Sequence, residues 1–189
     1  MKNKLRNLIH SYSANAMSRE FKGIGSFEMA VTCKYADKNG RLLCCNHQRR
    51  VRRDALEEIL KILTQLMAEL VAAKDFEALY KIILSAKVAN IGQLTIYDIA
   101  MHIGYWLSPK ILPKDMVYIH AGAEIGAMAL YKKGLLRTKP TCIMSVKDFE
   151  FLSELMNLNK AEHGILDDFT FAMLIEDFLC SKHKKLVAL

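Results

Sequence analysis

From Val51 to Val71 the apolar residues Ala55, Leu56, Ile59, Leu60, Leu63, Leu66, Met67 and Leu70 recur at steps of three and four, the spacing of an amphipathic helix. Asp75 then stands where an N-cap belongs, ahead of "FEALYKIILSAK", whose Phe76, Leu79, Tyr80 and Ile83 share one helical face. Helical spacing resumes from Gln93 to Leu107 through Ile96, Ile99, Ala100 and Ile103, and Pro109 and Pro113 enforce a loop after it.

"IHAGAEIGAMALYKKGLL" predicts a helix poor in side-chain bulk, able to approach a neighbour closely, with Gly134 as its stop. "SVKDFEFLSELMNLN" reads as a helix capped by Ser145. "LDDFTFAMLIEDFLCSKHKK" reads as the last helix, with Asp167 or Asp168 at its start and cations at its end, as the helix dipole prefers. The stretch before residue 48 is less regular: a short amphipathic opening, a "GIGS" turn at Gly23 to Ser26, a β-capable "MAVTC", the turn "DKNG" at Asp37 to Gly40, and "CCNHQRR".

Composition agrees with this pattern. Three prolines and nine glycines in 189 residues, with abundant straight-chain side chains, favour helix over strand, and 52% hydrophobic content is enough for a packed core. The expected fold is all-α: one globular domain of six to eight helices, with an N-terminal segment (1–48), a core (49–135) and C-terminal helices (136–189). No apolar run has the roughly 18 residues of a membrane span, and the start has no apolar core of signal-peptide length, so the expectation is a cytoplasmic protein without a membrane partner. Lys and Arg total 27 against 20 Asp and Glu, a net charge of +7 that would attract polyanions if gathered on one face.

The stretch "VANIGQLTIYD" joins two predicted helices. A tight turn that opens a helix leaves backbone N–H groups unpaired at the positive end of the dipole, where a phosphate oxygen can fill the gap. The donors expected are the N–H groups of Gly92, Leu94 and Thr95, with Lys87 adding charge. Asn90 sits where the turn needs a left-handed backbone, which Asn tolerates better than other residues with a side chain. "HQRRVRR" places Arg49, Arg50, Arg52 and Arg53 before the long helix; cations there are unfavourable to the dipole and invite a counter-anion, or else ion pairs with Glu57 and Glu58.

Val88, Ile91, Gly92, Thr95 and Ile99 match the helix-hairpin-helix pattern, with Asn90 in place of its first glycine. Downstream, "PKDMVYIHAGAEIG" puts Pro113, Val117 and His120 in the places that follow the hairpin in the helix-hairpin-helix DNA glycosylase superfamily. Over roughly residues 51–135 the chain resembles that superfamily, and with "IEDFLC" near its end it looks like an uncharacterised bacterial family of the same fold. The resemblance implies a glycosylase-like helical domain that binds DNA non-specifically through its phosphate backbone, with a link to DNA repair.

It also implies a lost catalytic centre. The family's catalytic aspartate falls at Tyr118, and the lysine of bifunctional members at Leu94. A tyrosine, with a pKa near 10, is neutral at physiological pH and cannot supply the carboxylate charge. Asp115 and Glu124 are the neighbouring substitutes and His120 the surviving histidine, so the alternative is a base-excision N-glycosylase whose non-standard catalytic residue is Tyr118, Asp115, Glu124 or His120. A further alternative is a non-catalytic interaction module. Cys44, Cys45 and His47, with Cys33 upstream and the pair Cys180 and His183, contain metal-ligating residue types at spacings that fit no standard finger, and no metal or other cofactor is expected.

Overall fold

A computed structural model describes residues 1–45, 50–86, 88–163 and 169–189, without the side chains of residues 159–163. In chain order its elements are α1 (Lys2–His10), α2 (Asn15–Lys22), α3 (Phe27–Val31), β1 (Lys34–Ala36), β2 (Leu42–Cys44), α4 (Arg53–Gln65), α5 (Met67–Val71), α6 (Phe76–Ser85), α7 (Gln93–Trp106), β3 (Met116–Tyr118), α8 (Ala121–Lys132), β4 (Ile143–Ser145), a 3-10 helix (Val146–Leu152), α9 (Glu154–His163) and α10 (Phe171–Val187). The fold is mostly helical rather than wholly so, because β1 pairs with β2 and β3 with β4, both antiparallel. Among the described residues no helix is long and apolar enough to cross a membrane. The chain divides into two compact units: a central unit, Met17–Leu112, and a terminal unit, Met1–Ala16 with Pro113–Leu189.

In the central unit, α7 is the core. Residues from Thr95 to Gly104 are buried apart from half-buried Asp98, and α6 and α3 both pack against the helix. Gly104 makes this possible on one side: the Ile111 N–H donates to its carbonyl at 2.8 Å, and a Cβ at Gly104 would lie 2.0 Å from the Ile111 oxygen. The α6 helix starts where Asp75 predicts, with the Asp75 carboxylate accepting from the Ala78 N–H at 2.8 Å. The Asp37–Gly40 turn also forms, with the Asp37 carboxylate accepting from Asn39 and Arg41 N–H groups at 2.8 and 3.0 Å, and it joins β1 to β2.

Two expectations for this unit are corrected. "MAVTC" is not a strand: Ser26 accepts from the Met29 N–H at 3.2 Å and starts α3, and the strand begins only after Cys33 turns the chain at φ 49°. The long helix is broken at Leu66 (φ −90°, ψ 10°), two residues after Thr64 turns its hydroxyl back onto the Leu60 carbonyl, a bond that bends helices.

In the terminal unit, α8 lies along α10. The small-residue face of α8 allows it: a Cβ at Gly126 would come within 2.6 Å of the Leu179 carbonyl oxygen. A two-bond C-terminal motif closes α8, with Gly134 N–H donating to Tyr131 O at 2.9 Å and Leu135 N–H to Leu130 O at 3.0 Å. The α1 helix buries Leu5, Leu8 and Ile9 and packs on α9 and α10. Beyond it, Tyr12 stands edge-on to Phe178 and donates to the Asp177 carboxylate at 2.7 Å. Asp177 and burial together push the Tyr12 phenol well above the ordinary tyrosine value, burial being the larger cause.

The terminal unit corrects two readings and adds a strand. Ser145 does cap, accepting from the Lys147 N–H at 3.2 Å, but it ends β4 and starts the 3-10 helix; α9 begins separately at Glu154. Thr170 caps α10, accepting from Met173 N–H while its hydroxyl donates to the Pro113 carbonyl; Asp167 and Asp168 lie outside the described residues. The "MVY" segment, to which the spacing assigns no element, is β3, held in register by Met116 opposite Ser145 and Tyr118 opposite Ile143, and it leads into α8. In all, ten α-helices form among the described residues instead of six to eight, the surplus coming from the irregular opening and the split at Leu66.

Candidate nucleic-acid interface

The Val88–Thr95 turn belongs to the central unit. Val88 is buried and its carbonyl accepts from the Ile91 N–H at 3.3 Å, closing a turn whose exposed Asn90 has φ 66°. Asn90 thus takes the left-handed conformation expected of it at this turn. Gly92 follows as N-cap of α7 with no side chain capping the helix, and no acidic residue lies in the first turn. The first helical bond is Ile96 N–H to Gly92 O, at 3.0 Å. Among the described residues, nothing lies within 4 Å of where a Gly92 Cβ would stand, so the approach to the turn is open.

The individual expectations fare differently. Leu94 is half-buried, and Thr95 is buried, at 8% exposure. Lys87, Arg49 and His47 lie outside the described residues. Arg50 is exposed. Its neighbours are engaged locally: Arg52 grips Asp54 through two nitrogens, at 3.1 and 2.6 Å, and Arg53 reaches Glu57 at 2.8 Å. The Arg52 guanidinium holds the Asp54 carboxyl below the usual carboxylate range. Part of the basic run is therefore spent on ion pairs that also restore negative charge at the start of α4.

The candidate catalytic residues all fall in the terminal unit. Tyr118 and His120 are buried, at 2% and 8% exposure, one ending β3 and the other serving as N-cap of α8. Asp115 and Glu124 are exposed, the first beside the β3–β4 pair, where its carbonyl accepts from Val146 N–H, and the second on the outer face of α8. The cysteines also separate. Cys33 and Cys45 are buried in the central unit, opposite each other, with the Cys45 N–H donating to Cys33 O at 3.0 Å; Cys44 is half-buried. Cys180 and His183 are in the terminal unit, where His183 Nδ1 donates to the Cys180 carbonyl at 2.6 Å. Among the described residues no three His, Cys, Asp or Glu side chains could hold one metal ion.

Sequence reading missed a polar cluster in the central unit. His102, inside an apolar helical run and 2% exposed, lies 2.9 Å from the Glu20 carboxylate and edge-on to Phe21. Nearby, burial first and the Cys45 thiol second push the Cys33 thiol well above its ordinary value, with Asp98 and Glu20 acting in the same direction. The signal available beforehand was a histidine at a core position of α7; its partner, 82 residues away, carries no local mark. No protein-family model, no curated protein and no solved structure matches this chain.

Proposed function

We propose that the Val88–Thr95 turn is a helix-hairpin-helix of the kind the glycosylase-like superfamily uses, and that it binds the phosphate backbone of DNA without reading bases. The observation that carries this reading is the backbone of the turn. Asn90 at φ 66° delivers an uncapped Gly92 to the start of α7, with open space before it. Such a helix start presents N–H groups to an anion at the positive end of the dipole. A net charge of +7 and exposed Arg50 add a field of the right sign. No reaction is part of the proposal.

Fluorescence anisotropy with short duplex and single-stranded DNA at low salt tests it. The expected affinity is that of non-specific binding, about 1 to 100 µM, falling steeply as salt rises. Gly92→Glu, which places a carboxylate in the open approach, and Arg50→Glu should each weaken binding about tenfold or more, as should charge reversal at Lys87 or Arg49. Wild-type protein that does not bind at low salt, or a Gly92→Glu variant that binds equally well, would sink the proposal.

A further inference from the structure

The α8 helix has two faces. Gly122, Ala123, Gly126, Ala127 and Leu130 turn toward the unit's interior, and the opposite stripe carries Glu124, Ile125, Met128, Tyr131 and Lys132. Ile125 is 50% exposed and Tyr131 37%, and Val187 at the end of α10, 55% exposed, extends the patch. A shallow groove of about 570 Å³ runs beside Ile125, Met128 and Val187, with Glu124 toward one end and Lys132 and Lys133 toward the other.

The order of residues says what fits there. A two-fold axis through Met128 pairs positions whose numbers are equally far from it. An antiparallel second copy of α8 therefore sets Glu124 against the other copy's Lys132, twice, and Ile125 against Tyr131, twice, with Met128 meeting its own equivalent. Residues four positions from the axis lie only about 6 Å along the helix from the crossing point, so they stay in reach at ordinary crossing angles. Within one chain Glu124 and Lys132 are about 12 Å apart along α8 and cannot serve each other. Antiparallel packing also opposes the two helix dipoles.

We infer that this chain self-associates through α8 as an isologous, antiparallel dimer centred on Met128, with two Glu124–Lys132 pairs fixing register. The interface does not depend on the hairpin reading. A single helix pair buries less than the roughly 1,200 Å² of standard stable interfaces, so the dimer is a weak one.

Sedimentation equilibrium of the full chain over about 10 to 500 µM tests it. The expected mass rises from 21.5 kDa toward twice that value. Ile125→Asp should lower the association constant at least about tenfold. Glu124→Lys and Lys132→Glu should each weaken it about tenfold by setting like charges together, and the double variant E124K/K132E should recover to within about threefold of wild type. Circular dichroism on the same samples shows that each variant is folded; a variant that is not folded is replaced by Met128→Lys. A wild-type chain that stays monomeric throughout overturns the inference, whether or not it binds lipid vesicles or another protein. So does a dimer that the two charge reversals weaken without mutual rescue.

Discussion

The two units each bury a helix whose sequence is apolar almost throughout, and they leave opposite parts of it exposed. In the central unit α7 is covered along its length and reaches solvent at its N-terminal tip, Gly92 and Gln93. In the terminal unit α8 is covered on its small-residue face by α10 and exposed on the opposite face at Glu124, Ile125, Tyr131 and Lys132, with Met128 half-buried between them. A helix visible only at its tip can offer backbone N–H groups and a dipole; a helix visible along its side can offer a stripe of side chains. The difference in burial is why an anion is proposed for one and a second helix for the other.

The largest effects should come from filling the close approaches that make each burial possible. Gly104→Ala would drive a Cβ to 2.0 Å from the Ile111 oxygen, and Gly126→Ala to 2.6 Å from the Leu179 oxygen, both of them backbone atoms that cannot swing away. We expect losses of about 3 kcal/mol or more for Gly104→Ala and about 1 to 3 kcal/mol for Gly126→Ala, measured by urea unfolding. The chain's one tryptophan, Trp106, lies in α7 against Phe27, so its fluorescence follows the central unit directly. Two substitutions with equal cost would mean that the two helices are not held by approaches of different closeness.

Alkaline pH should separate the units next. Cys33 in the central unit and Tyr12 in the terminal unit both have raised pKa values, so each keeps its proton in the fold at a pH where the unfolded chain has lost it. The unfolded state then binds fewer protons, and stability falls as pH rises, by up to about 1.4 kcal/mol per pH unit for each group. The decline attributable to Cys33 should start near pH 8.5, and that of Tyr12 near pH 10, the ordinary values of the two groups. Cys33→Ala should remove the earlier part and Tyr12→Phe the later part; alkaline stability curves that superimpose on wild type would contradict this.

The smallest effect concerns the tip of α7. At φ 66°, Asn90→Ala should cost about 1 kcal/mol, while Asn90→Gly should be neutral or slightly stabilising. Equal stabilities for the two variants would remove the left-handed turn on which the hairpin reading depends.

Much of this architecture was legible in advance wherever a residue acts on its own backbone. Asp75 caps three residues ahead, Asp37 folds the turn it occupies, and Asn90 adopts the conformation its type tolerates. Reading was less successful where two local preferences compete: Met29 to Cys33 is β-branched enough for a strand, yet Ser26 supplies a helix cap first. Met116 to Tyr118 became a strand because Ile143 to Ser145 pairs with it, and the spacing of neither segment announces the other. The metal-ligating residue types dispersed for the same reason, since number and type say nothing of which unit a cysteine joins.

By itself, then, the sequence determined the start of α6 at Asp75, the stop of α8 at Gly134, the small-residue face of α8 and the left-handed turn before α7, because caps, periodicity and φ preferences act within a few residues. Tertiary structure alone decided that α7 is buried along most of its length and α8 on one side, that Glu20 meets His102, and that Tyr118 and Leu94 belong to different units. Those outcomes depend on burial and pairing between segments far apart in the chain, where the free energy of each contact is set by a partner that local sequence does not name.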